Sequence, residues 1–294
     1  VYNPIYILKL LPYFHKYDII HTHNTAPQLF AAIASLVSSV VLCTTEHTTS
    51  NRRRSLKWYR PIDKWMYSRY KKIISISPAT TENLRKHIKK SCPIDTIPNG
   101  INVERYSAAI SVERKNIGCK NDAFLLMMVA GFRYQKDQDT IIRALTLLPK
   151  NVQLCLVGDG DRRDECEELV KRLNLGERVV FTGVRSDIPN VLKAADVVIM
   201  SSHLEGFGLA AVEGMAAGKP VVASDVVGLG DIVKNYGCVF PQGDERKLAE
   251  IVDCLRNDSN LYKALAGQCY SRSKDYDISK TIDSYIDIYE SIVK

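Results

Sequence analysis

From Asp18 to Ser224 the sequence alternates short runs rich in Val and Ile with segments whose apolar residues recur at helical spacing. Parallel strands need a crossover of about a dozen residues or more, usually a helix, so this alternation predicts parallel sheets covered by helices. In the first third, strands are expected at Asp18–Thr22, Val40–Thr44, Lys72–Ile76 and Ile94–Ile97, with helices at Ile5–Lys16, Ala26–Val37, Leu56–Tyr70 and Pro78–Lys89. A polar stretch from Asn102 to Asp122 reads as structureless. The alternation then resumes with strands at Phe124–Ala130, Val152–Val157, Val179–Thr182, Val197–Met200 and Val221–Ser224. Helices are expected between them at Asp137–Leu148, Arg162–Leu173, Ile188–Ala194 and Leu209–Ala217. Two such series predict an α/β protein of two Rossmann-like domains facing across a cleft, divided into residues 1–101 and 102–277. A last helix, 278–294, carries Ile278, Ile282, Tyr285, Ile286, Tyr289 and Val293 at helical spacing and is expected to pack back on the first domain.

Charge supports a boundary near residue 100. Residues 1–101 hold 15 Lys and Arg against 5 Asp and Glu, a net of +10, whereas the rest hold 25 against 28, a net of −3. The densest basic run is Arg52, Arg53, Arg54, Lys57, Arg60, Lys64, Arg69, Lys71 and Lys72, interleaved with Trp58, Tyr59, Trp65, Met66, Tyr67 and Tyr70. Basic residues mixed with interfacial aromatics suit an anionic membrane surface, the plain alternative being a solvated helix face. No nucleic-acid motif accompanies the run, so nucleic acid is not an expected partner. The apolar part of the charge-free stretch Asn24–Thr45 is 15 residues, Leu29–Cys43, against the ~20 that a span needs. It reads as a helix followed by a strand. No signal or transit peptide is visible. The eight scattered cysteines, with no CxxC pair, read as small buried hydrophobes in a reducing compartment. A cytoplasmic protein is expected, peripheral on the cytoplasmic face of the inner membrane, and its first residue, Val1, already lies in a helical pattern.

The segment Ser201–Asp225 concentrates the chemistry. A strand ends at Ser201 and Ser202, a turn holds Glu205, Gly206, Phe207 and Gly208, and a helix begins near Leu209. Free N–H groups and the dipole at a helix start attract anions, and glycines let backbone approach a diphosphate closely. Glu205 in the loop and Glu213 on the second helical turn are eight apart, and carboxylates are acceptors suited to sugar hydroxyls. No Asp cluster points to a metal.

This segment resembles the Glu-x7-Glu loop of the family 4 retaining glycosyltransferases, which have the GT-B fold, and further motifs agree in order. Ile97-Pro98-Asn99-Gly100-Ile101 resembles the segment that ends the family's first domain. Leu156-Val157-Gly158-Asp159-Gly160 is similar to its strand-to-helix turn, and Phe181-Thr182-Gly183-Val184-Arg185 to the loop whose backbone frames the nucleotide base. Ala194-Ala195-Asp196 precedes the strand into the Glu205 loop.

The resemblance implies a nucleotide-sugar donor in the second domain, an acceptor in the first, and no metal or other cofactor. Lys136 and Arg133 would bind the donor diphosphate with Gly206, Phe207, Gly208 and Leu209. Glu205 would position the sugar. Gly158, Gly183, Arg185 and Glu213 would hold the nucleoside, and His23 would face the donor sugar. His21 reads as a packed strand residue, His47 as a further lining residue, and His203 has no role assigned. Two departures stand out. The family's Arg five before the Lys is Gly131 here, leaving Arg133, three before Lys136. The first domain is also short by two or three βα units, roughly 70–90 residues at ~30 per unit, so the Gly-rich acceptor loop is expected to be missing.

The implied activity is transfer of a sugar to a lipid-linked or oligosaccharide acceptor in bacterial surface polysaccharide (capsule or lipopolysaccharide) biosynthesis. Two alternatives are a nucleotide-sugar-binding module without transferase activity and another GT-B enzyme, such as a nucleotide-sugar epimerase. An NAD-dependent oxidoreductase is disfavoured because Arg163 stands where the dinucleotide fingerprint needs its third glycine.

Overall fold

The structure, a computed structural model, describes residues 3–48, 56–88 and 93–293. Arg52–Arg54, Lys89, Lys90 and Cys92 lie outside the described residues. The chain divides into two compact units, residues 1–99 with 279–294, and residues 100–278.

In the first unit, α1 (Ile5–Phe14), β1 (Ile19–His23), α2 (Thr25–Ala34), β2 (Val41–Glu46), α3 (Arg60–Ser68), β3 (Lys72–Ser75), α4 (Pro78–Ile88) and β4 (Ile94–Thr96) follow one another. The strands form a parallel sheet in the order β1-β2-β3-β4, with Ile19 opposite Val41 and Thr44 opposite Ile73. Side chains alternate between faces with a period of two. Leu42 and Ile73 pack with Phe14, Ala31, Met66, Tyr67 and Leu84 of the four helices, while Cys43 and Ile74 pack with Ile288 and Ile292 of the C-terminal helix Ile278–Val293. The charge-free stretch is a helix, a 3-10 turn at Ser35–Val37 and a strand. No described helix is long and apolar enough to cross a membrane.

The second unit opens with a short helix, α5 (Val103–Ser107), and a 3-10 turn at Arg114–Ile117, within the stretch read from sequence as structureless. Capping explains the helix, since Asn102 accepts from the Arg105 N–H at 2.9 Å, and Val103 and Tyr106 are buried. Then come β5 (Phe124–Val129), α6 (Gln138–Leu145), β6 (Val152–Val157), α7 (Arg163–Arg172), β7 (Val179–Gly183), α8 (Ile188–Ala194), β8 (Val197–Met200), α9 (Leu209–Ala216) and β9 (Val221–Ser224). The unit closes with α10 (Gly230–Val233), β10 (Cys238–Phe240), α11 (Glu245–Asn257) and α12 (Ser259–Ser273). The sheet order is β10-β9-β8-β5-β6-β7, parallel throughout. Strand order therefore reverses between β5 and β8, and ligands of open α/β sheets bind beyond the carboxyl ends of the strands at such a point. Cys119, Cys155, Cys166 and Cys269 are buried, but Cys254 is exposed, because it lies on the outer side of α11, whose buried side carries Leu248, Val252 and Leu255.

Candidate active site

The loops after β5 and β8 supply Lys136 and Glu205, and the two side chains form a direct ion pair with 25% and 15% of their surface exposed. Backbone stitches these loops together, the His203 N–H donating to the Gln135 carbonyl at 2.8 Å. The His203 ring adds to the joint. Its Nδ1 lies 2.9 Å from Gln242 Nε2 and 3.5 Å from Asp137 Oδ2, and the ring sits 5.1 Å from that of Tyr134. Asp137 itself caps α6 through Thr140, and burial pushes its carboxyl above the usual range. His203 thus fixes the Glu205 loop on the Lys136 loop. Arg133 is exposed on the same segment and makes no ion pair among the described residues.

Gly208 caps α9 with a φ of 102°, a left-handed conformation that favours glycine. The N-terminal amides of α9 follow it, with Phe207 buried edge-on to Tyr276 and Leu209 exposed. A residue that the sequence did not reveal backs this turn. Gly228 has a φ of 89°, and a Cβ there would lie 2.6 Å from the Glu205 carbonyl oxygen and 3.1 Å from that of Gly206. Gly214 acts similarly one residue after Glu213: a Cβ would sit 2.9 Å from a Val198 methyl, so α9 lies close on β8.

Glu213 accepts a hydrogen bond from Tyr106 of α5 at 2.8 Å. Tyr106, in the stretch read as structureless, carried no sequence signal as a site residue. Burial pushes the Glu213 carboxyl up, against the opposing effects of the Tyr106 bond and Arg105, and burial followed by the Glu213 charge pushes the Tyr106 hydroxyl up. A raised carboxyl keeps its proton longer in the native state, so its contribution to stability is full below the unfolded value near 4.3 and is lost as pH rises through the folded one. Glu213→Gln keeps the acceptor and removes the charge. The variant should therefore gain in Tm on the wild type as pH rises above the unfolded value of about 4.3. A Tm difference independent of pH would contradict this assignment.

The glycines beyond β6 and β7 are placed by close approach. Gly158 donates to the Gly183 carbonyl at 2.9 Å, and a Cβ on Gly158 would fall 2.2 Å from the Ala130 carbonyl oxygen. Arg185 is held by Asp187 through bonds of 2.8 and 2.7 Å, which hold the Asp187 carboxyl below its usual range. The guanidinium is thereby committed within its own loop.

On the first unit, three histidines gather at the carboxyl ends of β1 and β2. His21 bonds Tyr289 Oη at 2.5 Å and Thr45 Oγ1 at 2.9 Å, which makes it a packed residue tied to the C-terminal helix. Burial, then His23 and His47, push its pKa down to about 4. His23 Nδ1 and His47 Nε2 are 2.8 Å apart, so one ring donates to the other. Both are pushed below the usual imidazole range, chiefly by burial. Among the described residues no three His, Cys, Asp or Glu side chains gather as a metal site.

Known proteins share this arrangement of elements. A family model described as glycosyl transferases group 1 matches residues 110–272, and one described as glycosyltransferase family 4 matches residues 1–105. The chain is 26% identical to the putative glycosyltransferase EpsD of Bacillus subtilis, over 94% of this chain and 77% of that one. It is 28% identical to an Escherichia coli UDP-Gal:alpha-D-GlcNAc-diphosphoundecaprenol alpha-1,3-galactosyltransferase, over 95% and 76%. An uncharacterized glycosyltransferase of Methanocaldococcus jannaschii is 32% identical over 83% and 67%. Among solved structures, Anabaena HepE in complex with UDP superposes with a TM-score of 0.87 at 24% identity, covering 97% of this chain and 82% of that one. The fold is GT-B, and with more than half its length matched by that family's model, the chain belongs to the glycosyl transferases group 1 and is a glycosyltransferase.

Proposed function

We propose that the chain is a retaining transferase that takes a sugar from a uridine diphosphate donor bound on its second unit. The lysine–carboxylate pair at the strand-order reversal carries this reading, since it sets a phosphate-binding cation beside a hydroxyl acceptor. As the bond from the anomeric carbon to the diphosphate breaks, negative charge grows on the leaving phosphate and positive charge on the sugar. Lys136, Arg133 and the amides at the start of α9 stabilise the first, with no metal in the scheme. Glu205 orients the sugar, and Glu213, held by Tyr106, takes the ribose hydroxyls. The loop Gly183–Arg185 offers backbone to the base. His23, bonded to His47 through Nδ1, keeps its Nε2 for a sugar hydroxyl. The Escherichia coli relative, named for a UDP-galactose donor and a diphosphoundecaprenol-linked sugar, supports a uridine nucleotide and a lipid-linked acceptor in surface polysaccharide assembly. A relative from Campylobacter jejuni, also named for a diphospho-undecaprenol acceptor, supports the same class.

Thermal unfolding with UDP, GDP and ADP tests the donor reading. At 100 times its dissociation constant a ligand adds about 2.7 kcal/mol, or roughly 5 °C or more for a unit of this size. UDP alone should produce the shift, and Glu213→Ala should abolish it. A shift with GDP or ADP and none with UDP would overturn the uridine assignment.

A further inference from the structure

The sheet face that the C-terminal helix covers carries histidines as well as core. Side chains two apart on a strand share a face. His21 and His23 of β1 therefore lie on one side with Cys43 and Thr45 of β2, and Thr45 stands directly opposite His23. Tyr285, Ile288, Tyr289 and Ile292 fall on one stripe of the helix, and the two isoleucines pack with Cys43 and Ile74. The tyrosines bring polar chemistry into this apolar seam. Tyr285 Oη lies 3.0 Å from Thr45 Oγ1, Thr45 Oγ1 lies 2.9 Å from His21 Nε2, and His21 Nδ1 lies 2.5 Å from Tyr289 Oη. Burial pushes both tyrosine hydroxyls up, Tyr289 to about 12, so both keep their protons at neutral pH. The two tyrosine rings also wall the imidazole of His21, with centroids at 5.6 and 5.7 Å. With both nitrogens engaged, the His21 ring has one orientation, and His23 stacks on it at 4.5 Å with 26° between the planes.

We propose that Tyr285 and Tyr289 are positioning residues for sugar transfer: through Thr45 and His21, the C-terminal helix fixes the platform on which His23 stacks, and so the direction of His23 Nε2. This role rests on the reading of His23 as the partner of a sugar hydroxyl. His23 has little to hold it otherwise. It is the last residue of β1, its ring is partly open to solvent, and its Nδ1 is bonded to His47 at 2.8 Å. A ring held by one hydrogen bond can still turn about it, and a stacked neighbour that is itself locked removes that freedom. Hydroxyls that did no more than satisfy buried polar groups would leave His23 untouched by their removal.

The test pairs an NMR titration of the His23 imidazole in the full chain, assigned with His23→Ala, with UDP release from UDP-hexoses. In the wild type, burial and then His47 hold His23 below the usual value of about 6.5. Tyr285→Phe/Tyr289→Phe keeps both rings and removes both hydroxyls. In that variant His23 should turn toward solvent and titrate closer to about 6.5. Its kcat should fall about tenfold, with KM for the donor little changed, because the second unit holds the nucleotide. Thr45→Val should act in the same way, whereas Thr45→Ser, which keeps the hydroxyl, should behave as the wild type. Ile292→Val loosens the same seam without touching the hydroxyls, and should lower Tm while leaving the titration and kcat in place. An unmoved titration and kcat in the tyrosine double variant would overturn the positioning role, as would losses that simply follow Tm across the variants. His23→Ala separates the two readings. If it costs no turnover, the sugar contact is wrong and the positioning role falls with it. A costly His23→Ala beside unmoved titrations removes the positioning role alone.

Discussion

Lys136→Ala and Glu205→Ala should each lower kcat/KM for sugar transfer by two to three decades, with the double variant falling well short of the sum. Each decade is about 1.4 kcal/mol of transition-state stabilisation, and removal of one oxyanion-type donor commonly costs that range. The non-additivity follows from the ion pair between the two side chains. In the proposed complex a donor diphosphate would compete with Glu205 for the ammonium. With Lys136 gone, the Glu205 carboxylate, mostly enclosed, faces the diphosphate with no cation between them and repels it. Deleting Glu205 as well relieves that repulsion, so the second deletion costs less in the Lys136→Ala background than alone. Stability should move much less, by about 1 kcal/mol, because part of each side chain still meets solvent. Strictly additive losses would argue that the two groups act independently, and a Glu205→Ala enzyme with unchanged turnover would remove the carboxylate from the reaction.

What could be read from the sequence was local. The strands Val197–Met200 and Val152–Val157 are contiguous Val/Ile/Leu-rich runs, and the structure places them at those residues because both sheet faces are covered. The Glu205 loop was legible because a strand end, a Gly-bracketed turn and a helix start are adjacent in the chain. Tyr106 was not. Its significance is a hydrogen bond to a residue 107 positions away, made from a five-residue helix that capping by Asn102 produces within a polar stretch. The joint made by His203 was equally hidden, since its partners Asp137 and Gln242 come from the cap of α6 and the loop after β10. The C-terminal helix shows both sides. Its apolar spacing announced a partner surface, but nothing in that spacing told that Tyr285 and Tyr289 would reach Thr45 and His21.

Gly228 is where that limit has its largest expected consequence, because a glycine after two valines has no signature of its own. Gly228→Ala should lower kcat/KM about a hundredfold or more and lower Tm by several degrees. An L-residue at a φ of 89° costs about 1–2 kcal/mol by itself. The added methyl would also meet the Glu205 and Gly206 carbonyl oxygens at 2.6 and 3.1 Å, and these are backbone atoms that no rotamer change can withdraw. The turn bearing Gly228 is itself held, with the Gly230 N–H on the Val226 carbonyl at 2.7 Å. The Glu205–Gly208 loop therefore yields, and a displacement of about 1 Å in a positioning group is worth about two decades. Gly243→Ala separates the two effects. That glycine also has a positive φ, 73°, but a Cβ there would touch nothing within 4 Å. It should lose about as much stability as the backbone strain alone and retain wild-type turnover. If both variants lost activity equally, strain in the unit rather than displacement of the Glu205 loop would be responsible, and an active Gly228→Ala would mean that the loop is not held where the chemistry needs it.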